Sequence, residues 1–143
     1  MNHHDALDLA RGSHEGTLTT IRGNTRPQIS NVLYVLGGDD VVRISTAESR
    51  AKATNLRRTP WAALHVTGPD FWSYSVLEGD ATLSPPVTDV DDPVMAELRD
   101  HYRAMQGEPE DWAPFEELML AERRLVVRIV VDRAYGFRLG ESA

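Results

Sequence analysis

The first two thirds of the chain consist mainly of short runs in which β-branched and apolar residues alternate with polar ones. Clusters of Gly, Pro, Asn and Asp separate these runs, as is typical of turns between strands. Consecutive strands joined by short turns favour a closed or partly closed antiparallel barrel. We therefore predict a mainly β protein, one domain over residues 1–143, with about six antiparallel strands and short inserted helices. The predicted strands are Gly16–Arg22, Gln28–Leu36, Val41–Thr46, Trp61–Thr67, Phe71–Leu83 and Arg123–Phe137.

Four segments, one before the first strand and three between strands, have residue patterns typical of helices. After Asp92 and Pro93, apolar residues recur every three or four positions as far as Gly107, which predicts an amphipathic helix. Ser49 is the candidate N-cap of a shorter helix. Within the fifth strand, Gly79 predicts a bulge or a corner. The predicted helices cover residues 2–11, Ala51–Arg58, the segment that ends at Gly107, and Trp112–Ala121.

Composition narrows the range of functions. The 143 residues include no cysteine, which excludes disulfides, Cys-ligated zinc, iron–sulfur clusters and thiol nucleophiles. A formal net charge of −7 argues against a nucleic-acid partner, because a phosphate backbone requires an extended basic face. No apolar run reaches membrane-spanning length and no signal peptide is evident, so we expect a cytoplasmic protein without a membrane partner. His3 and His4 lack a ligand cluster at suitable spacing, so we predict no metal site.

One segment reverses the sign of the charge. Arg43–Arg58 has five basic side chains and one acidic, a net +4, and it contains Lys52, the single lysine beside fourteen arginines in the chain. Its helix follows two hydroxyls, Ser45 and Thr46. Hydroxyls, cations and the free amides of a helix N-terminus are groups that bind phosphate. The segment predicts a site for a small phosphorylated molecule. The alternative is a solvated helix whose arginines pair with acidic surface groups.

Helix geometry limits how this segment could work. Within a regular helix, Arg50 and Lys52 would point to different sides, because residues two apart do not share a face. They can converge on one anion only if Arg50 lies in the turn or the first residues of the helix, where the backbone is still bending. We predict that Arg50 lies there.

Five segments, spread over nearly the whole length, occur in a recognisable order. The second and third are the most specific, because they combine polar strand residues with an Arg-x-Lys loop. The segments are GTLTTI (16–21), RPQISNVLY (26–34), ISTAESRAKATNLRRTP (44–60), FWSYSVLEGDATLSP (71–85) and AERRLVVRI (121–129). With them the chain resembles the pyridoxamine-phosphate-oxidase-like split β-barrel superfamily. It is similar, more closely, to the small homodimeric members that use the deazaflavin coenzyme F420.

The resemblance implies a set of coenzyme contacts. In such proteins the loop after the third strand holds the coenzyme phosphate, and the ring lies along the second strand. The implied phosphate contacts are Ser45, Thr46, Arg50, Ala51 and Lys52, with Asn55 as a helper. The implied ring contacts are Gln28, Ser30, Asn31 and the backbone near Val32.

The resemblance also implies a homodimer with the coenzyme at the subunit interface, closed by residues of the partner chain. Trp72 and Tyr74 are the candidates, because aromatic side chains stack on planar rings. The alternative is that these two residues fill the barrel interior together with Phe71. Arg57 and Arg58, further along the helix, would meet the carboxylates of the glutamate tail of F420, or else only solvent.

The implied activity is an F420H2-dependent reductase that transfers a hydride to a small conjugated or aromatic acceptor, such as an enone, a quinone or a tetrapyrrole. The ring would carry the chemistry, while the protein orients it and excludes water. The alternatives are an FMN-dependent oxidoreductase, a non-catalytic F420 carrier or storage protein, and a structural dimer with a vestigial pocket. No catalytic residue is predicted, although His65, Tyr34 and water are candidate proton donors.

Overall fold

A seven-stranded antiparallel sheet forms the body of the protein, and a computed structural model describes it over residues 1–140. Across the sheet the strand order is β2-β1-β5-β6-β7-β4-β3. The strands are β1 Glu15–Ile21, β2 Pro27–Leu33, β3 Val35–Leu36, β4 Val41–Ala47, β5 Trp61–Thr67, β6 Tyr74–Leu83 and β7 Arg124–Phe137. The helices are α1 His3–Arg11, α2 Ala51–Arg58, α3 Pro93–Gln106 and α4 Ala113–Ala121. The mainly β fold and the four helices are as predicted.

The core forms because the strands alternate buried and exposed side chains. In β4, Val42 and Ile44 are fully buried while their neighbours are partly exposed. Such alternation buries one face of each strand, and the curled sheet encloses these faces in one cluster. Helix α1 contributes Leu7 and Ala10 to the same cluster.

The predicted second strand is wrong in one respect, since it divides at Tyr34. The Tyr34 hydroxyl donates to the carbonyl of Ala10 at 2.5 Å, and its backbone amide donates to the carbonyl of His14 at 2.8 Å. These bonds turn the chain out of the β1–β2 ladder, so β2 pairs with β1 while β3 pairs with β4. The division explains why the sheet has seven strands where the pattern predicts about six.

The bulge predicted at Gly79 is confirmed. The register between β6 and β7 shifts between Glu78 and Gly79. A Cβ atom at position 79 would lie 1.8 Å from the carbonyl oxygen of Val130, so the two strands approach too closely there for any side chain. The strand itself begins at Tyr74, because Asp70 caps the preceding turn by accepting bonds from the amides of Trp72 and Ser73.

The sheet does not close on itself. Within residues 1–140, strand β2 is hydrogen-bonded to β1 alone, and β3 covers only two positions of β4, opposite Val42 and Arg43. In this described part of the chain, the stretch Ser45–Ala47 of β4 therefore has no strand partner on the side that faces β2. A gap therefore remains between the edges of β2 and β4. Helices α3 and α4 lie over this gap.

Helix α3 begins as predicted, with the Asp92 side chain accepting from the amide of Val94 at 2.9 Å and Pro93 in the first turn. It packs on the outer side of β4 and β7, where a second apolar cluster joins α3 and α4 to the sheet. Glu97 fixes the helix in place by accepting from the Arg128 guanidinium at 2.8 Å. In residues 1–140 no helix is long and apolar enough to cross a membrane.

Candidate functional site

A cavity of about 470 Å³ occupies the gap between the edges of β2 and β4. This volume is within the range of small-molecule binding sites. The strands form one side of the cavity and the helices α3 and α4 form the other. The lining residues are Ser30, Asn31, Val32 and Leu33 of β2, Ser45, Thr46 and Ala47 of β4, Arg50 and Lys52 near the start of α2, Leu98, His101, Tyr102 and Met105 of α3, Phe115 and Met119 of α4, and Arg124 of β7.

One end of this cavity is cationic. Arg50 is the N-cap residue of α2, with an extended backbone (φ −73°, ψ 146°), so it lies in the turn before the helix, as predicted. The prediction of Ser49 as N-cap is wrong, because the helix begins one residue later and no side chain caps it. The extended conformation of Arg50 lets its side chain and that of Lys52 line the same cavity.

A third cation, Arg124, reaches this end from the first residue of β7. Its guanidinium Nη1 donates to the Ser45 carbonyl at 3.2 Å and lies 3.4 Å from the Ser45 hydroxyl, while Nε donates to Glu122 at 2.9 Å. The pairing of β4 with β7 sets Ala47 opposite Arg124 and Ser45 opposite Val126. Sequence reasoning missed Arg124, although the paired arginines Arg123 and Arg124 at the start of the last predicted strand were a signal.

The three cations repel one another. The pKa of Lys52 is lowered, first by burial and then by the charges of Arg50 and Arg124. Over the described part of the chain, neither Arg50 nor Lys52 forms an ion pair with a carboxylate. Of the three cations only Arg124 is paired, with Glu122, so the cluster keeps an excess of positive charge that is unfavourable in the protein alone, and an anion bound there would relieve the repulsion.

The other end of the cavity is an apolar wall, formed by Leu98, Tyr102 and Met105 of α3 with Phe115 and Met119 of α4. We call this set the α3–α4 wall. Trp112 supports it from behind, with its ring 5.7 Å from that of Tyr102 and 5.4 Å from that of Phe115. The helical pattern predicts the apolar face of α3, but nothing in it predicts that this face lines a cavity.

His101 lies within this wall. Its side chain is buried, with 7% exposed, and its Nδ1 atom has no hydrogen-bond partner within residues 1–140. Burial is the main cause that lowers the pKa of His101 to about 4; the nearby His14, Arg124 and Arg43 act in the same direction, and Glu97 opposes them. The ring is therefore neutral near pH 7.

The structure brings seven of the predicted coenzyme contacts together around the cavity and leaves the other six outside its lining. The seven are Ser30, Asn31, Val32, Ser45, Thr46, Arg50 and Lys52. The six are Gln28, Ala51, Asn55, Arg57, Trp72 and Tyr74.

Asn55 and the two arginines after it have partners in this chain. The Asn55 amide donates to the Thr20 hydroxyl at 3.1 Å, and its carbonyl oxygen accepts from Arg58 at 2.9 Å. Arg58 also donates to the backbone carbonyl of Ile21. Arg57 lies 4.0 Å from Glu48 and is partly exposed. Asn55 and Arg58 therefore link α2 to β1, and Arg57 is the freer of the two arginines.

Trp72 and Tyr74 lie elsewhere in this chain. Trp72 is 65% exposed and meets Phe71, which is 78% exposed, in an edge-to-face contact. Tyr74 stacks on His65, with ring centroids 5.4 Å apart and an interplanar angle of 15°. The alternative in which Phe71 and Trp72 fill the barrel interior is wrong, because both are exposed.

The candidate proton donors differ in position. Burial raises the pKa of Tyr34 far above its usual value, and its hydroxyl is bonded to the Ala10 carbonyl in the core. His65 is exposed on the outer face of the sheet. There it lines a second cavity, of about 550 Å³, which shares Asn31, Val32 and Leu33 with the first.

The outer face of five strands carries exposed apolar and aromatic side chains among polar ones. Register sets Asn31 beside Thr17, Thr17 beside His65, His65 beside Val76, and Val76 beside Tyr135. Exposed apolar side chains flank this row, namely Ile29 and Leu33 on β2 and Phe137 on β7. We call these side chains, with Tyr74, the outer face. Because Asn31 and Leu33 also line the first cavity, this surface is continuous with the rim of the cavity.

An antiparallel barrel that is split at one seam, with a cationic cavity at the split, places the chain among the split-barrel proteins. The chain belongs to the pyridoxamine 5'-phosphate oxidase family, whose model matches residues 4–137.

Solved structures with this fold are similar over most of their length. A conserved hypothetical protein of Mycobacterium tuberculosis has a TM-score of 0.74 at 24% identity, covering 100% of this chain and 90% of that one. An F420 reductase has a TM-score of 0.69 at 20% identity, covering 90% and 94%. A pyridoxamine 5'-phosphate oxidase-related, FMN-binding protein of Nostoc punctiforme has a TM-score of 0.64 at 16% identity, covering 96% and 82%.

Proposed function

We propose that this protein is an F420H2-dependent reductase that works as a homodimer and reduces a small conjugated or aromatic acceptor. The observation that carries the proposal is the cationic end of the cavity, where Arg50, Lys52 and Arg124 meet without a carboxylate for the first two. The family and the F420 reductase with this fold support a redox role.

The residues present fit a phosphate. Lys52 and Arg50 supply positive charge, the Ser45 and Thr46 hydroxyls can donate hydrogen bonds, and an anion would offset the repulsion that lowers the pKa of Lys52. The unpaired edge of β4 adds backbone groups. Arg124 holds the Ser45 backbone in position while placing its own charge nearby.

F420 and FMN both carry a phosphate, so this end of the cavity accepts either coenzyme. What distinguishes F420 is its anionic glutamate tail. Arg57 is placed to meet such a tail, because it lies two turns along α2 from Arg50 and is partly exposed. Arg58 is not, since its guanidinium is bonded to Asn55 and Ile21.

Reduced deazaflavin supplies a hydride when bound, and the acceptor then takes a proton at a second atom. The chain's own residues orient and shield the reactants. Polar groups of β2, with Ser30 and Asn31, offer hydrogen bonds along one side of the cavity, and the α3–α4 wall keeps water from the other. With the Tyr34 hydroxyl bonded in the core, the proton comes from water or from His65.

The proposal of a homodimer is based on the outer face. The exposed apolar and aromatic side chains Ile29, Leu33, Tyr135 and Phe137 form a surface that a second copy of this chain would cover. Because this surface reaches the rim of the cavity at Asn31 and Leu33, a partner seated there would close the cavity. Trp72 and Tyr74 of the partner subunit are the candidates for that closure.

Binding of the two coenzymes tests the proposal. Purified protein is titrated with oxidised F420 and, separately, with FMN, and binding is followed by ligand fluorescence and absorption. We expect tighter binding of F420, and oxidation of F420H2 when enones, quinones and tetrapyrroles are offered. Tight binding of FMN without F420 would favour the FMN-dependent oxidoreductase. F420 binding without turnover of any acceptor would favour the carrier.

A further inference from the structure

His101 has no role in the phosphate site, yet it is buried in the α3–α4 wall with Nδ1 unpartnered within residues 1–140. Buried polar groups in native proteins almost always have a partner, because an unpaired one loses its hydration without replacement. Leu98, Met105 and Met119, which line the same part of the cavity, are apolar, and the nearby His14, Glu97, Arg43 and Arg124 form no hydrogen bond with Nδ1 within residues 1–140. Nδ1 itself has almost no accessible surface, so a ligand in the cavity that His101 lines becomes its partner once the ring turns toward that cavity.

The neutral state of the ring defines which ligand groups suit it. A neutral imidazole offers one donor nitrogen and one acceptor nitrogen, so it can bond to a carbonyl or a hydroxyl. Arg43 and Arg124 oppose a positive charge on this ring, and Glu97, the carboxylate of the same helix that would favour it, is already paired with Arg128. His101 therefore acts as a hydrogen-bonding group and not as a cation.

We propose that the α3–α4 wall binds the electron acceptor and that His101 hydrogen-bonds to an uncharged, planar, carbonyl-bearing molecule there. This inference rests on the proposed function, in which the coenzyme phosphate occupies the cationic end. Tyr102 and Phe115 present aromatic surface to a flat ring, and Trp112 holds both in place.

The charge distribution selects an uncharged acceptor. No cation belongs to the α3–α4 wall, whereas Arg50, Lys52 and Arg124 are gathered at the opposite end. An anionic acceptor would compete with the coenzyme phosphate at that end. A cationic acceptor would be repelled by it. An uncharged quinone or enone avoids both costs.

Binding of menadione, an uncharged planar quinone, to the coenzyme-free protein tests the inference without turnover. Imidazole nitrogen resonances are recorded by NMR during the titration, and those of His101 are assigned by their loss in His101→Gln. We expect the His101 resonances to shift and saturate together with the binding curve.

Two variants of His101 and one control variant distinguish the contribution of the His101 hydrogen bond to menadione affinity from the contribution of the shape of the wall. In His101→Leu the dissociation constant for menadione should rise about tenfold, as for the loss of one hydrogen bond. His101→Asn, which keeps a polar group close to the Nδ1 position, should recover most of the affinity. Leu118→Met, at an exposed position of α4 outside the cavity lining, should have little effect. Thermal melts identify any variant that does not fold, in which case the Asn and Gln variants carry the comparison.

F420 and FMN titrations of the same variants separate this inference from the proposed function. We expect coenzyme binding to be unchanged by His101→Leu, and the KM for menadione with F420H2 to rise while kcat changes little. Menadione binding that is indifferent to His101, with unperturbed resonances, overturns the inference even if the coenzyme binds. Failure of the wild-type protein to bind either coenzyme overturns the proposed function instead.

Discussion

Arg124 and Ser45 are 79 positions apart in the chain, yet the Arg124 guanidinium donates to the Ser45 backbone carbonyl at 3.2 Å. The bond crosses from β7 to β4 at the place where β4 lacks a strand partner on its other side. It brings a third cation to the end of the cavity that already contains Arg50, at the N-cap of α2, and Lys52, in its first turn. The positive charge there is therefore greater than α2 alone could provide.

Lys52→Ala should weaken coenzyme binding by roughly 1.5–3 kcal/mol, the range for a hydrogen bond to a charged group. Stability should not fall, because neighbouring positive charges already oppose the charge on Lys52. Titration with F420 and a thermal melt measure the two effects. Arg26→Ala, which removes a cation from the exposed β1–β2 turn, is the control.

A phosphate-free deazaflavin chromophore sharpens the Lys52 test. If Lys52 binds the phosphate, Lys52→Ala weakens F420 but leaves the affinity for the phosphate-free ring unchanged. Arg124→Gln should act in the same direction. Equal losses for both ligands would remove Lys52 from the phosphate site.

Arg57→Ala and Arg58→Ala form a matched pair on one helix. Arg58→Ala should destabilise the protein by about 1 kcal/mol, because it breaks the bonds from Arg58 to Asn55 and to the Ile21 carbonyl, the second of which links α2 with β1. Arg57→Ala should leave stability unchanged and weaken long-tailed F420 more than short-tailed F420. Denaturant melts and titrations with both tail lengths measure these effects. Identical losses for the two tail lengths contradict the assignment of the tail to Arg57.

Ile29→Glu should prevent dimer formation. Ile29 is 60% exposed on the outer face, and burying a carboxylate in an apolar contact between subunits is unfavourable. Sedimentation velocity should show a dimer for the wild-type protein and a monomer for the variant. Leu118→Glu, at an equally exposed site on α4, should remain dimeric. A wild-type monomer at all concentrations would refute the homodimer.

Tyr34→Phe should reduce stability by about 1 kcal/mol, because the hydroxyl bond to Ala10 joins the β2–β3 break to α1. Coenzyme affinity and turnover should be unchanged, since this hydroxyl lies in the core. Urea unfolding with parallel activity assays measures both. If Tyr34→Phe lost turnover while its stability stayed normal, Tyr34 would again be a candidate proton donor.

His101 should make the protein acid-sensitive. Its pKa falls from 6.5 in the unfolded chain to about 4 in the folded one. Between these values the unfolded state binds more protons, so stability declines as the pH falls through this range, by up to about 3 kcal/mol. Asp39 and Asp92, whose pKa values are lowered from 3.8, contribute only at lower pH. Urea midpoints between pH 7 and pH 4.5 should fall steeply in the wild-type protein and less in His101→Gln.

Sequence patterns predict the parts of this site that are adjacent in the chain. Ser45, Thr46, Arg50 and Lys52 lie within eight residues, so strand and helix periodicity are enough to place them together. The bulge at Gly79 and the cap at Asp92 are predictable for the same reason, because glycine and the Asp-Pro pair have local conformational effects.

The remainder of the site depends on pairing between distant segments. Arg124 joins the cavity only because β7 pairs with β4 in a particular register. His101 faces the cavity only because α3 lies across the gap between β2 and β4. The break at Tyr34 likewise depends on the position of α1. None of these relationships is encoded by local spacing.

The 14-residue strand β7 carries Arg124 at one end and the outer-face residues Tyr135 and Phe137 at the other. The hydrogen-bonded ladder of β7 thus connects the proposed anion site to the surface proposed to contact a second subunit. Deleting one residue from its middle would turn one end of β7 over relative to the other. We expect such a deletion to abolish both coenzyme binding and dimer formation, because both depend on the same strand.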